Sequence, residues 1–155
     1  MSENPQVDRN HARYADQLEV LDTIITDGVC PFCIESLRKY HKLPIIKTGD
    51  HWLLTKNQWP YEHTKFHYLT IANQHMRSTD DMPRGMFEEL GYFVRLVNEI
   101  EQTNSGVLAM RYGDMSLTGS SVDHLHAHVI QAYSSDELKD GESVKFRMSG
   151  KHAPR

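Results

Sequence analysis

The stretch Asp123-His124-Leu125-His126-Ala127-His128-Val129-Ile130 carries a histidine at every second position, with apolar residues between and after them. On a strand, successive side chains point to opposite faces. His124, His126 and His128 then share one face, and Leu125, Ala127 and Val129 share the other. A helix would scatter the same residues around its circumference. The alternation, together with Val and Ile, favours the strand. One face of this strand enters a core while three imidazoles form a wall. Imidazole titrates near pH 6.5, and three rings side by side repel one another when protonated. They are expected to stay neutral, as nucleophiles, hydrogen-bonding groups or metal ligands, since His-x-His on a strand can also chelate an ion.

Gly119-Ser120-Ser121-Val122 leads into this strand as a turn of small residues. The whole segment resembles the histidine triad signature, His-φ-His-φ-His-φ-φ. Asn57-Gln58-Trp59-Pro60-Tyr61 is similar to the Asn-x-x-Pro loop of that family, and His67-Tyr68-Leu69-Thr70-Ile71 to its His-φ-φ-φ strand. Cys30-Pro31-Phe32-Cys33 resembles the Cys-x-x-Cys near the start of many members. The resemblance covers roughly residues 30–132. It implies an α+β fold: an antiparallel sheet of about five strands with a long helix packed on it. An extra helix over residues 1–29 precedes a histidine-triad domain at 30–133, and a tail follows at 134–155.

The family's activity is nucleotide hydrolysis or nucleotidyl transfer. Carried over residue by residue, the resemblance implies that His126 attacks the α-phosphorus, with His128 and Ser121 at the phosphate oxygens or leaving group. Asn57, His67, Gly119, Ser120 and His124 are implied to touch nucleotide, and Trp59 or Tyr61 to lie near the base. No catalytic metal is required. Zinc-bearing members imply a structural zinc on Cys30, Cys33, His75 and His124; a reduced cysteine pair without metal is the alternative. Three departures bear on substrate. Ser120 stands where many members have Gln, Gly113 lies near a family Asn, and Gln131-Ala132 replaces Pro-Arg. The substrate class the resemblance implies is a nucleoside phosphoramidate or a dinucleoside polyphosphate. The rivals are a nucleotide-binding module with weak catalysis and a metal enzyme built on the three histidines.

At 155 residues the chain suits one core. Its net charge of −4 and lack of a long basic run argue against a general nucleic-acid binder. No apolar run suggests a membrane span, and the polar Met1-Ser2-Glu3-Asn4-Pro5 is no secretory signal, so a cytoplasmic location is expected. A homodimer is implied by analogy with the family.

Elsewhere, Asn10 is expected to cap a helix reaching Thr26, with Tyr14, Leu18, Leu21 and Ile25 as its apolar stripe. Ile34 to Tyr40 reads as a short helix, and Ile45-Ile46-Lys47-Thr48 with His51 to Lys56 as a hairpin. Cap oxygens, an acidic turn and Pro83 start a main helix over roughly 80–103, and Val107 to Arg111 returns as a strand. Val144, Phe146 and Met148 alternate with basic residues as a short edge strand would. The basic end, 150–155, reads as a solvated tail, and His11, His41, His63 and His152 as surface residues.

Overall fold

A computed structural model describes residues 6–149. Five antiparallel strands form one sheet in the order β1-β2-β3-β5-β4: β1 (Ile45–Thr48), β2 (Trp52–Lys56), β3 (Thr64–Ala72), β4 (Val107–Arg111) and β5 (His126–Ala132). The helices are α1 (Ala15–Asp27), α2 (Ile34–Tyr40), α3 (Met86–Glu101) and the single turn α4 (Met115–Thr118). This is the expected α+β architecture. No helix among the described residues is long and apolar enough to cross a membrane.

Strand parity sorts the side chains into two layers. Trp52 and Leu54 of β2, Phe66 and Tyr68 of β3, and Leu125, Ala127 and Val129 lie in one core with α3. That helix inserts Met86, Leu90, Phe93 and Val97, all buried, at spacings of four, three and four. Each such side chain contributes roughly 1.5–3 kcal/mol by leaving water. The opposite face carries Leu53, Leu69 and Ile71 against Leu37 of α2. Leu21 and Ile24 of α1 then pack on Tyr40 and Val122.

The β1–β2 turn is tied to α3 by one carboxylate. Glu89 accepts from the backbone N–H groups of Asp50, His51 and Trp52 at 2.7–2.8 Å. A Cβ on Gly49 would sit 2.5 Å from that carboxylate, so a side chain there would push Glu89 away from the turn.

Four expectations need correction. Asn10 does not cap α1; it lies in a 3₁₀ turn over Arg9–His11 that Asp8 caps, and α1 begins at Ala15. Its buried stripe is Gln17, Leu21 and Ile24, one step round from the expected one. The main helix starts at Met86, not 80, because Ser78 closes a capping box on a separate turn, Thr79–Asp81. Gly85, at φ +87°, then redirects the chain. Residues 144–148 form no strand; Phe146 instead packs against Tyr61 and Arg111. The basic end at 150–155 and His152 lie outside the described residues.

Candidate functional site

β5 sits between β3 and β4, so its histidine face is flanked by both. In register, His128 lies opposite Leu69 and Ala109, and His126 opposite Ile71 and Arg111. All three triad imidazoles are buried, on the face away from α3.

Hydrogen bonds determine which nitrogen of each ring carries its proton, because a carbonyl only accepts. His126 donates from Nδ1 to its own strand at His124 O, 2.7 Å away, leaving Nε2 as a lone pair. His124 donates from Nε2 to Ala72 O at 2.8 Å, leaving Nδ1 as its lone pair. A third chain of bonds sets His128. The Tyr61 N–H donates to His67 Nδ1 at 3.1 Å, so His67 carries its proton on Nε2 and donates to His128 Nδ1 at 2.8 Å. His128 is therefore a donor at Nε2. That atom lies 3.4 Å from Arg111 Nη1, also a donor. Two donors facing across this gap mark a place for a shared acceptor.

Burial keeps the rings uncharged. Desolvation, then the neighbouring His124 and the Arg111 and Arg13 cations, lowers His126 to about 4, although its bond to the His124 carbonyl opposes this. His67 falls to about 3, first by desolvation, then by Arg13 and His126. Desolvation likewise holds His128 well below its ordinary range, with His126 and His67 adding to the effect.

His126, His128, Ser121, Gly119 and Asn57 line one cavity of about 700 Å³ including its open mouth. The other expected contacts lie elsewhere. His67 stands behind His128, with the Asn57 amide 3.1 Å from its Nε2. Ser120 is buried, its hydroxyl donating to Val122 O within its own turn at 2.8 Å. Trp59 and Tyr61 do line the cavity, Tyr61 stacking on His128 with centroids 5.6 Å apart.

His124 belongs to a second constellation. Cys30, Cys33, His75 and His124 each offer one ligand atom, all within 4.8 Å of one another. The His124 Nδ1 lone pair lies 3.4 Å from Cys30 Sγ, and His75 Nδ1 lies 3.4 Å from Cys33 Sγ. Two sulfurs and two imidazoles are a tetrahedral zinc donor set, and the Ala72 carbonyl supplies the outer bond that orients a ligating histidine. Without a cation, burial and the neighbouring Cys30 push the Cys33 thiol up to about 12.

Among the lining residues that the sequence did not point to are Arg13, Gln17, His41 and Arg111. His41, expected at the surface, is buried, donating from Nε2 to Thr55 Oγ1 at 2.7 Å; that hydroxyl in turn donates to Pro44 O. Arg111 was detectable: the last residue of the strand at 107–111 meets the triad wherever that strand pairs with it. Arg13, its guanidinium 4.4 Å from the Tyr61 ring centre, gave no local signal.

The family described as "Scavenger mRNA decapping enzyme C-term binding" matches residues 29–142. No curated protein matches the sequence. Among solved structures, a hypothetical histidine triad nucleotide-binding protein from Sulfolobus tokodaii strain 7 superposes with TM-score 0.54 at 20% identity, covering 78% of this chain and 80% of its own. A histidine triad protein from Clostridium difficile gives 0.52 at 19%, covering 71% and 96%. A Zn-bound histidine triad family protein from Mycobacterium smegmatis gives 0.50 at 18%, covering 70% and 80%. These likenesses establish a common fold. With the alternating histidines on its central strand and the match over residues 29–142, the chain belongs to the histidine triad family.

Proposed function

We propose that the protein is a nucleotide hydrolase or nucleotidyl transferase working through a covalent nucleotidyl-histidine. The observation that carries this reading is the state of His126: neutral, bonded through Nδ1 to its own backbone, with the Nε2 lone pair left over on a residue that lines the cavity. A neutral nucleophile approaches an anionic phosphate without charge repulsion. In the first step Nε2 bonds to the α-phosphorus, and the phosphorus–oxygen or phosphorus–nitrogen bond to the leaving group breaks, its electrons departing with that group, which takes up a proton from solvent where it leaves as an amine. His128 Nε2–H and Arg111 face the place where negative charge collects. In the second step water bonds to phosphorus and releases a proton to solvent, the phosphorus–nitrogen bond to His126 breaks with its electrons returning to Nε2, and mononucleotide leaves; inorganic phosphate can replace water. Ser121 and Gly119 line the same cavity and support a place beside the leaving group. The substrate class is a nucleoside phosphoramidate or dinucleoside polyphosphate.

The test is release of mononucleotide from these substrates, with an acid-quenched sample analysed for nucleotide bound to protein. Turnover by His126→Ala at the wild-type rate would overturn the assignment. The rival metal centre on three histidines is disfavoured by direction: His124 Nδ1 faces sulfur, while His126 commits Nδ1 to a carbonyl.

Cys30, Cys33, His75 and His124 fit a structural zinc, which would crosslink α2 to the start of the triad strand and supply no reaction step. Metal analysis should find about one zinc per chain, lost in Cys33→Ser and kept in His126→Ala. A homodimer is the oligomeric state we favour, supported by outward-facing Phe87, Tyr92 and Ile100 on α3; sedimentation tests it.

A further inference from the structure

The family match begins at residue 29, yet α1, which precedes it, forms one wall of the cavity. Gln17, Val20, Leu21 and Ile24 line it from α1, facing Phe32, Tyr40 and Leu69 from the rest of the molecule. This wall is apolar except for Gln17, which is only 5% exposed. The Gln17 Oε1 accepts from the Arg13 N–H at 2.8 Å. That bond identifies the other end of the amide as the –NH₂ group, which has no hydrogen-bond partner among the described residues. Gln17 lines the cavity, so this donor is open to whatever occupies it, and a ligand acceptor there gains a hydrogen bond.

We propose that α1 is the specificity element of this enzyme and that Gln17 Nε2 donates a hydrogen bond to an acceptor on the nucleobase. This rests on the nucleotide reading above. A flat, apolar-faced group with acceptors along its edge is the chemistry this wall accommodates, while His126 lies on the same cavity for the phosphate. Gln17 touches the part of the substrate that does not react, so it discriminates among bases through binding.

A simpler role for Gln17 is that of a helix cap, since it reaches back from the first turn of α1 to a backbone N–H. Two variants separate the roles. Gln17→Glu keeps an oxygen for the Arg13 N–H and replaces only the donor, whereas Gln17→Met removes both. Wild type and both variants are assayed with the adenosine, guanosine, cytidine and uridine 5′-phosphoramidates, reading KM and kcat separately, with thermal midpoints alongside. The expected result is that KM for the preferred base rises about tenfold in both variants, equivalent to ~1.4 kcal/mol. KM for the poorest base moves little, so the ranking flattens. An unchanged ranking in Gln17→Glu overturns the inference. So does a uniform rise in KM across all four bases, which is what repulsion between the new carboxylate and the phosphate produces. A shift of thermal midpoint in Gln17→Met with no change of ranking leaves Gln17 a cap only and also overturns it. If wild type turns over none of the four substrates, nor dinucleoside polyphosphates, the proposed function itself fails, and that outcome is distinct from a working enzyme with an indifferent Gln17.

Discussion

Residues 124–129 send alternate side chains to two layers that are equally buried and chemically opposite. Leu125, Ala127 and Val129 meet α3 in a layer built almost wholly of hydrocarbon and aromatic groups. His124, His126 and His128 meet cysteines, another histidine and a cavity. Burial on the first side releases water and stabilises the fold. Burial on the second deprives imidazoles of solvent and leaves them neutral, each held by one specific bond. A single strand thus separates the stabilising layer from the reactive one, and the two can be perturbed independently.

The largest effect should come from the reactive side. His126→Ala is expected to lower turnover at least about 10³-fold, or ~4 kcal/mol in the barrier. Its unfolding midpoint in denaturant should move less than that of the next variant. Phe93→Ala, on the other side of the sheet, should cost about 3–5 kcal/mol of stability by opening a cavity beneath α3. The protein that remains folded should keep its KM. Equal losses of stability from both variants would erase the contrast.

Acid sharpens the same contrast. His67 has its folded pKa lowered to about 3, and His128 is lowered as well. The unfolded chain therefore binds more protons than the folded one below about pH 6.5. Stability is fully present above that pH and falls as pH drops toward 3, with a slope approaching 1.4 kcal/mol per pH unit per ring, roughly. His67→Gln should flatten this limb, whereas Phe93→Ala should lower the whole curve without changing its slope. Denaturant midpoints measured from pH 7 to pH 4 decide the matter. The smallest effect belongs to the entrance of α3. Ser78→Ala removes a cap from an exposed turn and should cost about 1 kcal/mol, with no change in turnover.

Much of the fold was legible because strand parity and helical spacing are local properties. The alternation at 124–129 specified both layers, and the helical spacing of Met86, Phe87, Leu90, Phe93, Val94, Val97 and Ile100 marked the apolar stripe of α3, although Phe87 and Ile100 at its margins are exposed. The start of that helix was misread because Ser78, Thr79 and Asp80 are good cap residues whichever kind of turn they cap. Residues 144–148 alternate as a strand does, but alternation cannot say whether a sheet edge is free to receive it. Within the site, the residues on the triad strand were legible, as were Asn57, Tyr61 and the cysteine pair through their motifs, while Arg13 and Gln17, which lie outside any motif, were not. Gln17 sits on a helix that packs against Tyr40 and Val122, and His41 is bonded to Thr55 on β2; their own neighbours in sequence carry no trace of those contacts.

Gly119 turns at φ +73°, and a Cβ there would come within 2.2 Å of the Met148 carbonyl oxygen. The loop that feeds the reactive strand and the stretch close to the end of the chain are thus cut to each other's outline, with Arg111 gripping the same stretch through the Arg147 carbonyl. Even one added methyl group at 119 would unseat residues nearly thirty positions away. In any lineage that keeps this arrangement, the approach to the triad and the chain's closing segment can diverge only as a matched pair.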